Sequence, residues 1–159
     1  MARPTGTKLI ASNRKARHDF AILDTVEAGL VLHGSEVKSM REANVQLADA
    51  YARFEDRECW LEGVHIAPWA FARGMGAIDP DRRRKLLLHR DELERLRARV
   101  AQERLTLVPL SIYFRDGKAK VELALAKGRT HGDRRQAIAE RDAARDTARD
   151  LARHRKGTV

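Results

Sequence analysis

Three clusters of cations are the first groups in this chain that could do chemistry: Arg14, Lys15 and Arg17; Arg82, Arg83, Arg84 and Lys85; and Lys118 with Lys120. A phosphate backbone requires fixed positive charges spread along its path, and these clusters could supply them from three separate stretches of sequence. Tyr51, Trp60, Trp69 and Tyr113 add rings able to stack on unpaired bases, but only 5% of residues are aromatic and such rings more commonly fill a core. His18, His33, His65 and His89, with Glu27 or Glu36, could furnish the acid and base of a ribonuclease. Their spacing does not favour it. Gly34 breaks the frame between His33 and Glu36, and no glycine-rich phosphate loop or nucleophile elbow occurs. Catalysis is therefore not expected.

Composition points the same way. The 159 residues carry 32 Lys and Arg against 23 Asp and Glu, a formal net charge of +9, so the expected partner is a polyanion, with nucleic acid first. An anionic membrane is the rival, but there is no long apolar run, Met1 to Ile10 does not read as a secretory signal, and no lipidation motif is present. A soluble, cytoplasmic protein is expected. Cys59 is the only cysteine, which excludes an internal disulfide and a cysteine-rich zinc site and leaves it a small buried hydrophobe. No metal or cofactor is implied. Nothing marks a dimer interface, so the free protein is expected to be a monomer.

The elements that must position these groups follow from patterning. Residues up to about Lys15 are polar and basic without periodicity, and are expected to stay loose until an anionic partner orders them. Phe20 and Ile22, then Leu30, Val31 and Leu32, flank Glu27-Ala28-Gly29, which predicts two antiparallel strands around a glycine turn. Ser35 can cap a short helix through about Asn44, with Val37 and Met40 on its inner face. Strands are predicted at Ala50 to Phe54 and Cys59 to Ile66, joined at Asp56 and Arg57. Ala70 to Arg84 reads as a long exposed loop whose arginines reach solvent, followed by a short buried run at Leu86, Leu87 and Leu88.

Asp91 to Gln102 carries the clearest helical stripe, Leu93, Leu96 and Val100, with acids in its first turn. Leu105 to Phe114 and Lys118 to Leu125 are the clearest strands, because Asp116-Gly117 is a strong hairpin signal. In the second of these, Val121, Leu123 and Leu125 should face the core while Lys120, Glu122 and Ala124 face water. Several short antiparallel strands with interposed helices in about 110 residues predict a small closed barrel, a form that commonly binds nucleic acid on one face.

After Ala126 the large aliphatics reduce to Ile138, Leu151 and Val159, too few to dock a helix, so the tail is expected to be disordered alone. It is nonetheless patterned. Arg141, Arg145, Arg149 and Arg153 recur every four residues, and Asp142, Asp146 and Asp150 each precede an arginine by three. From Lys127 onward ten basic residues face five acidic ones, so the helix would need a polyanion to hold it. Its weak apolar face argues against a membrane-surface helix. The expected organisation is a flexible arm over residues 1–12, a barrel over 13–126 and a basic tail over 127–159.

Several segments also resemble a known family. They are Asn13-Arg14-Lys15-Ala16-Arg17-His18, Glu27-Ala28-Gly29, Gly34-Ser35-Glu36-Val37-Lys38-Ser39, Arg84-Lys85-Leu86-Leu87-Leu88-His89, Thr106-Leu107-Val108-Pro109-Leu110 and Ala126-Lys127-Gly128. In this order and spacing, from about Lys8 to Arg155, the chain resembles SmpB, the SsrA-binding protein family. The resemblance implies an OB-like barrel of six antiparallel strands with about three helices, followed by a tail that is disordered alone and helical when bound. It also implies binding to the tRNA-like domain of tmRNA, with the tail placed in the empty mRNA channel and decoding centre of a stalled ribosome. The alternative is a general RNA-binding or translation-associated barrel without tmRNA specificity.

Carried over by position, Glu27, Arg41, Leu87, His89 and Lys120 match tmRNA-binding positions of the family, and the resemblance makes Asn13, Arg14 and His18 expected further RNA contacts. In the tail, Lys127, Gly128, Arg129, His131, Asp133, Arg134 and Arg135 match the segment that enters the decoding centre. This chain departs there: Gly132 stands where the family commonly has His or Tyr, so charge is kept while a stacking ring is lost, unless His131 serves instead.

Overall fold

The computed structural model describes residues 6–69, 78–128, 139, 141–149 and 151, and the chain divides into two units, Met1–Gly128 and Arg129–Val159. In the first unit the elements run β1 (Thr7–Ser12), α1 (Arg14–Asp19), β2 (Phe20–Leu30), α2 (Gly34–Arg41), β3 (Val45–Gln46), β4 (Tyr51–Glu55), β5 (Glu58–Glu62), β6 (His65–Ile66), β7 (Arg84–Leu87), α3 (Arg90–Glu103), β8 (Thr106–Arg115) and β9 (Lys118–Gly128).

The β8–β9 hairpin is the spine. Asp116 and Gly117 take φ of 50° and 80°, the left-handed pair that matches hairpin twist. From β9 the antiparallel order continues through β2, β7, β5 and β4, and β4 returns to β8 through the pair Ala52 and Leu107. Six strands thus form a closed ring, and β1 adds a seventh to the remaining edge of β8. The ring is filled by inward residues of alternating parity, among them Ala28, Leu30, Cys59, Leu61, Leu86, Leu107, Ile112, Val121, Leu123 and Leu125. Burial pushes the Cys59 thiol up to about 12, leaving it protonated and inert. Among the described residues no helix is long and apolar enough to cross a membrane.

Several local expectations are corrected. Glu27-Ala28-Gly29 is no turn: β2 runs unbroken from Phe20 to Leu30, and these three residues pair with Glu122, Val121 and Lys120 of β9. The glycine instead serves a close approach, since a Cβ on Gly29 would lie 3.2 Å from the Leu87 Cβ. Residues 7–12, expected to be loose, form β1 with Ile10 buried, and α1 follows directly. The strand expected over Cys59 to Ile66 divides at Gly63, whose φ is +78° and whose Cβ would meet the Asp49 carbonyl oxygen at 2.7 Å.

The outer face of the spine also differs from simple alternation. Val108, Leu110, Ala124 and Ala126 point outward yet are buried beneath Ala16, with Phe20 and Ile22 alongside. A helix of six residues is too short to persist alone. Burying outward Val and Leu side chains contributes roughly 1.5–3 kcal/mol apiece, which is what holds α1 down.

The largest surprise is Arg84, expected in solvent but fully buried. Its Nε and one Nη bind the Glu36 carboxylate at 2.9 and 2.7 Å, and its other contacts are the carbonyls of Val64 and Pro80. Arg82 reaches the second oxygen of the same carboxylate, and the His33 N–H donates to it at 3.0 Å. Burial pushes the Glu36 carboxyl up, but Arg82, the His33 N–H and Arg84 outweigh it and hold it below the usual carboxylate range. The pair fastens α2 to β7. Of the three leucines expected to be buried, Leu86 is, while Leu87 turns outward and is 53% exposed.

In the second unit, residues 141–149 are helical and exposed, and the Thr147 hydroxyl donates to the Ala143 carbonyl at 3.0 Å. Among the described residues this is a fourth helical segment beside α1, α2 and α3 in the chain order.

Candidate RNA-binding surface

Because β7, β2 and β9 are neighbours in the ring, residues far apart in sequence share one outer face. Leu87 lies beside Gly29, Gly29 beside Lys120, and Glu27 two positions along β2. The chain then leaves β7 through His89, the cap residue of α3, whose first turns rise beside the sheet. The result is an open groove lined by Val26, Glu27, Gly29, Leu87, Leu88, His89, Glu92, Arg95 and Lys120.

Four of the residues singled out from sequence therefore meet: Glu27, Leu87, His89 and Lys120. Lys120 and Arg95 form no ion pair among the described residues, so their charges face the groove unspoken for by the protein. His89 is exposed and its side chain makes no capping bond, leaving the ring available for stacking or hydrogen bonding. Leu87 forms an apolar wall between them. Arg95 was not anticipated. The signal was the helical period, which sets it three residues after Glu92 and off the Leu93, Leu96 and Val100 stripe.

Glu27 does not stand alone on this face. The Tyr113 hydroxyl donates to its Oε2, and Arg115 Nη1 lies 2.8 Å from the same oxygen. Burial, then the Glu27 carboxylate, pushes the Tyr113 hydroxyl up to about 12, so it remains a donor.

The other assignments separate. Arg41, the last residue of α2, is exposed with its guanidinium 5.8 Å from the Phe114 ring centre, outside the groove lining. Arg14 and His18 are exposed on α1, and His18 Nδ1 lies 3.0 Å from Asp19. Asn13 is corrected: it is buried, its side-chain oxygen accepts from the Ala16 N–H at 3.1 Å, and its amide donates to the carbonyls of Leu47 and Pro109. It caps α1 rather than presenting itself to RNA. Lys127 and Gly128 belong to β9, paired with Ala21 and Phe20, and are exposed. Arg129, His131, Asp133, Arg134 and Arg135 lie outside the described residues, as does Gly132.

The rings that could stack on bases are mostly engaged within the protein. Arg83 lies 4.1 Å over Trp60 and Lys38 4.3 Å over Trp69, Tyr113 is buried, and Tyr51 is exposed but donates to Glu62 at 3.0 Å. The carboxylates that a ribonuclease would need are committed, Glu36 to Arg82 and Arg84 and Glu27 to Tyr113 and Arg115. Among the described residues no group of His, Cys, Asp or Glu is placed to hold a metal ion.

A family model described as SmpB protein matches residues 10–153. The SsrA-binding protein of Parafrankia sp. is 53% identical over 159 residues, covering all of both chains. That of Acidothermus cellulolyticus is 56% identical over 157 residues, 99% of this chain and 98% of the other. A solved chain from a study of tmRNA-SmpB in the bacterial ribosome is 50% identical, covers 80% of this chain and 93% of its own, and superposes with a TM-score of 0.62. With matches that run nearly end to end, this chain belongs to the SmpB protein family.

Proposed function

We propose that this chain binds tmRNA and serves ribosome rescue by trans-translation: the barrel holds the tRNA-like domain and delivers it to the stalled ribosome. It is an RNA-binding protein and not an enzyme, working in the cytoplasm with the ribosome. The observation that carries this is convergence. Glu27, Leu87, His89 and Lys120 come from three separated stretches of sequence and line one groove. In that groove Lys120 and Arg95 meet phosphates, His89 stacks on or hydrogen-bonds a base, and Leu87 excludes water from the contact. Arg41, Arg14 and His18 extend the contact beyond it.

The tail has a separate task in this scheme. Residues from 129 onward enter the empty mRNA channel and decoding centre, their repeated arginines meeting ribosomal RNA. Because β9 continues through Gly128, the cut that separates the two tasks falls after Gly128 rather than after Ala126. Two measurements test the scheme together. The tRNA-like fragment of tmRNA should outcompete duplex RNA of equal length, and truncation after Gly128 should keep that binding while abolishing tagging on stalled ribosomes. Equal competition by the duplex would make the chain a general RNA binder, and equal loss of both activities would refute the division of labour.

A further inference from the structure

A carboxylate on a surface that receives a phosphate backbone is repelled by it, so the place of Glu27 in the groove requires a reason. The geometry supplies one. Strand β9 lies between β2 and β8, and both Tyr113 and Arg115 reach across it from β8 to the same Glu27 oxygen. The Arg115 guanidinium also lies 5.8 Å from the Tyr113 ring centre. Its side chain is 53% exposed against 32% for Glu27. Lys120, directly opposite Tyr113 on β9, stands beside this bridge.

We propose that Arg115 is an RNA-backbone contact of this surface, and that Glu27 is a positioning residue that holds the Arg115 guanidinium beside Lys120. A guanidinium carries five N–H donors in a fixed fork. Glu27 takes up one arm of the fork, fixes the plane of the rest, and leaves the outer edge turned to solvent, where a phosphate can be bound in two-pronged fashion. The ion pair is too exposed to add much to folding, so its effect on binding is separable from stability. The inference rests on the groove being the tmRNA-binding surface.

The test is filter binding of the tRNA-like fragment across a salt series, using the full chain, Arg115→Gln, Arg115→Lys, Glu27→Gln, the double variant Glu27→Gln with Arg115→Gln, and Lys120→Ala. Arg115→Gln is expected to weaken binding about tenfold and to lower the slope of log K against log salt by about one. Glu27→Gln weakens binding by no more than Arg115→Gln, and the double variant is no weaker than Arg115→Gln alone. Arg115→Lys keeps most of the slope, which a purely structural role would not require, and its thermal melting matches that of the unaltered chain. If the two single losses multiply in the double variant, Glu27 touches RNA independently and the positioning role is wrong. An unchanged slope in Arg115→Gln removes Arg115 from the interface; should Lys120→Ala still lower it, only this inference falls, whereas no change in either displaces the groove itself.

Discussion

Strand β7 separates two outer faces of the barrel that carry similar residues and use them differently. On the β4–β5 side, Arg53 binds Glu55 and Glu62 at 3.0 and 2.7 Å, Lys85 binds Glu58 at 3.0 Å, and Arg83 bridges to Glu55 while covering Trp60. Every one of those cations answers a carboxylate. On the β2–β9 side, Lys120, His89 and Arg95 line a groove without ion pairs among the described residues. The lesson is that charge content does not set these two faces apart; how far the fold pairs the charge does, and of Lys120, His89, Arg95 and Arg115 on the open side Arg115 alone is bridged, to Glu27. A cation whose free donors are all turned to carboxylates must first break a contact before it can release counterions from RNA, whereas one held by a single arm need not.

The strongest way to break this comparison is to loosen the strand both faces share. Arg84→Met removes four hydrogen bonds and leaves the buried Glu36 carboxylate held only by Arg82 and the His33 N–H, which should cost about 2–3 kcal/mol of stability. Thermal or denaturant unfolding measures it, and a loss below about 1 kcal/mol would mean that the Arg84 site is not a buried ion pair in solution. Acid should do the same by another route. The Glu36 carboxyl is held below its ordinary value of about 4.3. Its stabilising contribution is therefore full above that value and lost as the pH falls through the lowered one. Unfolding free energy followed from pH 6 downward should drop more steeply in the parent chain than in Glu36→Gln.

Next in size is the open face. Lys120→Ala should weaken binding of the tRNA-like fragment by roughly tenfold and reduce the salt slope by about one, with melting unchanged because Lys120 makes no ion pair. A large fall in melting temperature would place Lys120 with the bridged charges instead.

How much of this was legible beforehand depended on whether a signal was local. The β8–β9 hairpin and α3 could be read directly, since Asp116-Gly117 and the Leu93, Leu96 and Val100 stripe are contained in a few residues. Strand β1 and helix α1 could not, because Ile10 and Ala16 are single apolar residues whose burial depends on β8 and β9. Arg84 looked like its neighbours Arg82 and Arg83; only strand parity and Glu36, 48 residues away, send it inward. In the groove, Glu27, Leu87, His89 and Lys120 were named by resemblance, and Asn13, named by the same route, lies buried as the cap of α1. A cap residue and an RNA contact are alike in a motif, and differ only in what surrounds them. Arg115 carried no local mark because its partner lies across another strand.

The smallest expected effect is the most discriminating between the two faces. Arg53→Gln and Arg83→Gln each remove a positive charge, as Lys120→Ala does, so a surface that merely attracts RNA by net charge should feel all three alike. On the bridged face each loss also leaves carboxylate charge less compensated, Glu55 being shared by Arg53 and Arg83, and exposed pairs of this kind contribute only about 0–1 kcal/mol to stability. Binding of the tRNA-like fragment by either variant should therefore stay within about twofold of the parent chain, a difference near the 0.4 kcal/mol that separates measurable from negligible on the affinity scale. The salt slope should stay where it was. A slope reduced by about one in Arg83→Gln would show that the Glu55 bridge opens for RNA, and the binding surface would then extend across β7 onto Trp60, whose ring the departing guanidinium would uncover for stacking.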